Sequence, residues 1–316
     1  MKQQLFFKWL ALAAVVEWLL VRTLTRAAIH VPKSPGMIAG YTAVNQIGLV
    51  SATFVGLLAL LLLLWIAWQN RRDSWLPLPL VGLALLSVLF LFIVPPAWLA
   101  LLYQLLALSA VLLLCARVFG EGGEGTNGEE RRRQGTAALL FPAAALIAGL
   151  LVQLLPNLYA LLGWPGPPPL TAVFFNMGEI FVVGSVAVWW WGYGRSHAWQ
   201  HWVLAAVPAL LFALSFWRDP AMTGILTIWS TGLTLFLPWP IYALALWLAG
   251  VTVLAAWSHH PSVAYAILLL IAAGYTPQLS SQLFSALIAL WLLASATPVA
   301  QMASQPVTTP LPAYRG

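Results

Sequence analysis

Residues 45–68 read NQIGLVSATFVGLLALLLLLWIAW, twenty-four positions without one charged side chain. A helix of that length rises about 36 Å at ~1.5 Å per residue, enough to cross a hydrocarbon core about 30 Å thick. In water the run would have no polar face to present. It therefore reads as a membrane span, and it is one of many such runs in the chain.

Working outward, further apolar runs occupy 5–21, 76–94, 97–117, 136–155, 170–191, 202–217, 221–237, 241–257, 263–275 and 280–297. Over all 316 residues, 62% are apolar and 7% charged. A soluble domain carries about 25% charged residues, so this chain could not cover a water-facing surface. A soluble enzyme, a disordered chain and a disulfide scaffold are excluded; the single cysteine, Cys115, can form no internal disulfide. The fold class is all-α: a polytopic transmembrane helix bundle of about 10–11 spans.

Prolines punctuate the connections: Pro95-Pro96, Pro156, Pro165 to Pro169, Pro220, Pro238, Pro240, Pro261 and Pro277. Proline lacks an N–H and clashes with the preceding turn, so helices are expected to end there. Tryptophans such as Trp68, Trp75, Trp98, Trp202, Trp217 and Trp257 stand at run ends. Their amphipathic rings suit the headgroup level. The start of the chain is basic through Lys8 and then apolar to Val21; with Glu17 interrupting it, this segment reads as a retained first span rather than a cleaved signal.

The net charge of +6 reflects topology, because the basic residues fall in short connectors rather than along one face. With the N-terminus inside, inner segments hold Lys2, Lys8, Arg71, Arg72, Arg117, Arg131, Arg132, Arg133 and Arg195. Outer segments among the first eight runs hold Arg22, Arg26, Lys33 and Arg218. Nine against four puts the N-terminus on the cytoplasmic side of an inner membrane. The connector 118–135, rich in Gly, Glu and Arg, is expected to be a mobile cytoplasmic loop.

A weak internal repeat runs at an offset near 130. Leu19 to Leu24 resembles Leu150 to Leu155, Pro35-Gly36 pairs with Pro165-Gly166, and Thr42-Ala43-Val44 with Thr171-Ala172-Val173, each followed by an asparagine, Asn45 or Asn176. The expected organisation is a first four-span unit over 1–130 and a second over 131–240. C-terminal helices over 241–297 and a flexible tail over 298–316 follow. The segment 263–297, interrupted by Gly274, Pro277, Gln278, Ser280, Ser281 and Gln282, reads as two short spans in preference to one broken, re-entrant helix.

Glu179 falls near the middle of its apolar run, where an ionised side chain costs about 2.5–3.5 kcal/mol or more. Asn176 lies one turn earlier on the same helical face. Such a carboxyl acts as a proton carrier, a cation ligand or a partner for a cationic substrate. Alternatively it is a protonated group hydrogen-bonded to a neighbouring helix. The substrate- or proton-binding candidates are Glu179, Asn176, the repeat-related Asn45, and Glu17 in the first span. Arg22, Arg26, His30 and Lys33 read as interface anchors.

His197 and His201 have helical i, i+4 spacing, and His259 and His260 are adjacent, yet neither pair has a Cys or carboxylate nearby. No metal site and no cofactor are expected, and no nucleophile–base, phosphate-cradling or paired-aspartate motif suggests an enzyme. The expected partners are the lipid bilayer and other membrane subunits, not nucleic acid. Two functions remain: a transporter-like protein for a small solute, or a non-catalytic subunit or scaffold of a larger complex.

Overall fold

A computed structural model describes residues 2–22, 34–72, 75–120, 126–166, 168, 170–195, 199–215, 239–273 and 279–303. Those residues form an all-α bundle. Its ten α-helices are α1 (Lys2–Val16), α2 (Pro35–Gln69), α3 (Pro77–Leu89), α4 (Ala97–Gly120), α5 (Thr126–Leu162), α6 (Thr171–Trp189), α7 (Trp199–Ser215), α8 (Trp239–His259), α9 (Pro261–Ala273) and α10 (Leu279–Ala303). Wider π-helical turns, Glu17–Arg22 and Trp190–Gly194, extend α1 and α6. Five segments are long and apolar enough to cross a membrane: Ile38–Gln69, Ala97–Arg117, Leu139–Leu162, Thr171–Gly194 and Pro240–His259. Large apolar side chains also cover much of the outside, among them Phe6, Trp9, Val50, Leu61, Leu85, Ile180 and Leu210. Exposed apolar surface on that scale is stable only against lipid, so this is a membrane-embedded protein.

Proline sets several helix starts. Pro35, Pro77 and Pro261 occupy first helical positions, where a missing N–H leaves no gap in the helix. Pro156 departs from the sequence expectation: α5 continues through it to Leu162. One lost backbone bond is tolerated where neighbouring helices hold the segment. The connector 118–135 also differs, since its backbone is helical over 126–135. Its Glu, Arg and Gln residues are good helix formers, and they continue into an apolar helix already nucleated. Segment 263–297 does form two helices, α9 and α10. The run 221–237 lies outside the described residues.

At the centre stands α10, buried on every side from Ser281 to Leu290 and packed by α2, α4, α5 and α9. Side-chain contacts give the helix directions. In the hairpin of α3 and α4, Ser87 donates to the Tyr103 hydroxyl at 3.3 Å and Gly82 lies under Leu106. In that of α5 and α6, Gly178 sits against Ala145 and Ala148, and Gly184 against Phe141. At one end of the bundle the Arg117 guanidinium donates to Asn70 Oδ1, joining the C-terminal ends of α2 and α4. Asn70 is buried there and also donates to the Ile66 carbonyl at 2.8 Å, closing the end of α2. Arg71 stacks 3.8 Å over Trp68 at the same end.

Strict alternation of the eleven apolar runs would send 170–191 and 241–257 in opposite directions. The structure runs them the same way: Tyr242 meets Glu179 near the start of both helices, and Thr252 meets Gly194 near their ends. The sequence count gave two full spans to 202–217 and 221–237, yet α7 has only 17 residues and contains Pro208. That length is at the lower limit for a span.

Candidate functional site

Glu179 lies in the third turn of α6, roughly 12 Å along the helix from Thr171 at ~1.5 Å per residue. Only 2% of its surface is exposed. Next to it, Gly178 lets α6 approach α5: a Cβ at Gly178 would rest 3.6 Å from Ala148 Cβ and 3.8 Å from the Ala145 carbonyl oxygen. From the other side comes Tyr242 of α8, fully buried, whose hydroxyl donates to Glu179 Oε2. A carboxyl and a phenol thus meet across two helices, beside Gly178, Ala145 and Ala148.

This arrangement answers the cost of burying a carboxyl. A neutral Glu179 keeps its own proton and accepts from Tyr242. An ionised one keeps the same donor, which stabilises its charge. Tyr242 can therefore donate to Glu179 Oε2 whether the carboxyl is neutral or ionised. Asn176 is half-buried one turn away on α6.

The same face of α6 continues into a narrow apolar cleft lined by Val182, Ser185, Val186 and Trp189, with Pro142 of α5 and Ile267 of α9 opposite. It encloses about 20 Å³, room for a single water-sized sphere. Past the cleft, aromatic side chains pack against one another. Trp189 stacks on Tyr193 at 5.6 Å, Tyr193 meets the His260 ring edge-on at 5.1 Å, and Trp202 bridges Trp190 and Trp247 at 5.9 and 5.1 Å. The Trp247 indole donates to the Trp202 carbonyl at 2.8 Å, and Arg195 stacks 4.4 Å over Trp191. Burial, helped by the charge of His259, holds His260 below the ordinary imidazole range.

The remaining sequence candidates fall elsewhere. Asn45 is exposed on a part of α2 where, among the described side chains from 34 to 47, none is buried. The repeat-based pairing of Asn45 with Asn176 therefore does not bring them into one site. Glu17 is completely buried, but in the π-turn after α1, which packs against α1 and α2. His197 lies outside the described residues, and His259 and His260 sit at the junction of α8 and α9. Among the described residues no three His, Cys, Asp or Glu side chains come together as metal ligands would. Sequence reasoning missed Tyr242; its only signal was a phenol near the start of an apolar run. Comparison with known protein families, curated proteins and solved structures returns no match.

Proposed function

We propose that the protein is transporter-like, passing a small solute through the bundle of a cytoplasmic membrane with its N-terminus on the inner side. The observation that carries this reading is the pair formed by Glu179 and Tyr242, a titratable group held across α6 and α8 deep inside an apolar bundle. A carboxyl kept at that depth by a dedicated donor serves binding or proton transfer better than packing, for which a Leu would be cheaper. Glu179 binds the proton or the cationic part of the solute, Asn176 supplies a neighbouring amide, and the cleft leading to Trp189 forms the path. Arg71, Arg117 and Arg195, all at the end where α2, α4 and α6 finish, support the inner assignment of that end.

The test is uptake of a panel of small cationic, zwitterionic and neutral solutes into proteoliposomes. Wild type and Glu179→Gln are compared at matched reconstitution. The expected result is solute-dependent uptake or proton flux lost in the variant; equal flux in both removes Glu179 from the function.

One observation favours the second reading, a non-catalytic subunit or scaffold. The N-terminal part of α2 carries exposed Ile38, Tyr41 and Ile47 around a helix with little packed against it. A stoichiometric membrane partner, retained in mild detergent and released by Ile38→Asp with Ile47→Asp, supports that reading.

A further inference from the structure

A second buried polar cluster lies away from Glu179, around the central helix. On α10, Ser281, Gln282 and Ser285 are 0, 5 and 1% exposed; on α4, Gln104 is 4% exposed; at the end of α1, Glu17 is 0% exposed. Helix register brings these five to similar depth. Val21 abuts Gly48, and α1 runs antiparallel to α2, its Leu5 lining the same groove as Leu58. Glu17, four residues before Val21, therefore lies level with Ala52. The Ala52 carbonyl accepts from Ser281 Oγ at 3.3 Å, which puts Ser281 at that level too. One turn further along, the bond from Arg117 to Asn70 sets Gln104 level with Leu57, and Ser285 follows Ser281 by one turn. Along the bundle axis the five span about two helical turns, roughly 11 Å.

Two of its atoms have no hydrogen-bond partner among the described residues. Gln104 Oε1 and Ser285 Oγ are sealed from solvent, and neither has a hydrogen-bond partner. Each such group costs about 1–3 kcal/mol when left unsatisfied. A buried ionisable residue in a membrane bundle, here Glu17, is by default a functional-site candidate.

We propose that this cluster is a binding site for a sodium-sized alkali cation. Its chemistry is an oxygen set: the Glu17 carboxyl, the amide oxygens of Gln104 and Gln282, and the hydroxyls of Ser281 and Ser285. A proton on Glu17 would serve one acceptor and leave Gln104 Oε1 and Ser285 Oγ as they are. A hard cation gathers several oxygens at once in place of its hydration shell, and its single charge cancels that of one carboxylate. The π-turn at Glu17–Arg22 turns Glu17 out of regular α register, a distortion common where a helix serves a ligand. The site is independent of the Glu179 reading, since it shares no residue with it.

The test is calorimetric titration of the full chain in nanodiscs with NaCl against a choline chloride background. Glu17→Gln, Gln104→Leu, Ser285→Ala and Glu179→Gln are titrated alongside, each checked for a monodisperse, helical preparation. Saturable Na⁺ binding is expected, weakened roughly tenfold or more in Glu17→Gln, several-fold in Gln104→Leu and Ser285→Ala, and unchanged in Glu179→Gln. Ser285→Ala removes one oxygen and keeps the packing, so it remains informative if Glu17→Gln fails to fold. Absence of saturable Na⁺ binding to wild type overturns the proposal, as does binding that survives all three cluster substitutions. Heat that follows pH at constant alkali ion assigns the site to a proton and overturns it equally.

Discussion

Replacing Tyr242 by Phe deletes one oxygen and keeps the ring, so it isolates the hydrogen bond to Glu179. Both side chains are closed to solvent, at 0 and 2% exposure, and water cannot replace the lost donor. Leaving a buried polar group unsatisfied costs about 1–3 kcal/mol, while polar contacts between membrane helices average about 0.6 kcal/mol with a maximum near 1.7. Complete burial places this bond in the upper part of the membrane range. Tyr242→Phe is therefore expected to cost about 1–1.7 kcal/mol, up to roughly an eighteenfold change in the unfolding equilibrium. Glu179→Gln keeps an oxygen that accepts from Tyr242 and should cost less than half as much. Combining Tyr242→Phe with Glu179→Leu removes both partners, and its loss should fall short of the sum of the two single losses. Reversible unfolding in mixed micelles, followed by circular dichroism at matched protein and detergent, measures all of these. A Tyr242→Phe protein within about 0.3 kcal/mol of wild type would refute the claim that this bond holds α6 to α8.

Other expectations follow from close packing, charge and the lipid boundary. At Gly250 a Cβ would stand 2.9 Å from Ala205 Cβ and 3.3 Å from Ala205 Cα, so Gly250→Ala must push the α7 and α8 backbones apart. It should cost about 1–3 kcal/mol in the same assay. Gly178→Ala meets only ordinary contacts beyond 3.5 Å and should be neutral or slightly stabilising. His260 is held below the ordinary imidazole value of 6.5, so its protonation favours the unfolded chain. Its contribution to stability is present above pH 6.5 and is lost as the pH falls from there through the lowered value. The melting temperature of wild type should drop more steeply than that of His260→Asn across that interval. At the turn between α3 and α4, Leu91, Phe92 and Val94 are 76, 81 and 93% exposed. Cysteine at 92 or 94 in a Cys115→Ala background should resist membrane-impermeant maleimide in vesicles and react once detergent removes the lipid.

Helices were legible because hydrocarbon thickness imposes a length on apolar runs, and run length is written directly in the chain. The two-helix C-terminal segment could be read in the same way, whereas the start at Pro35, well before the run expected at 45, could not. Direction was legible only where every run is a full crossing. Around α7, with 17 residues and an internal proline, length no longer separates one crossing from none, and the parallel course of α6 and α8 went unseen. For the candidate site, Glu179 could be found from its cost alone, since a carboxyl amid apolar residues needs a reason. Its donor could not: Tyr242 is 63 residues away, and a phenol in an apolar run has no period or spacing that points to a partner. The repeat pointed to Asn45 and Asn176 alike, but exposure is not written in a repeat: Asn45 is exposed on α2, and Asn176 is half-buried on α6.

Placement of the polar groups separates what holds the bundle together from what it can do. Hydroxyls that bond back to their own helix, such as Thr42, Thr53, Ser109, Ser185, Thr252 and Ser295, satisfy themselves and demand nothing of a neighbour. They can be placed anywhere in a lipid-embedded helix. Glu179, Glu17 and Gln104 have side chains too long and too polar for that local solution, and each is enclosed by at least two helices. Hydrocarbon gives no net reward for pressing one apolar helix against another, so packing alone does not require these residues. Hydrogen bonds between helices are one use for such residues; on the two readings proposed above, the acidic positions, one on α6 and one after α1, also hold what enters the protein interior.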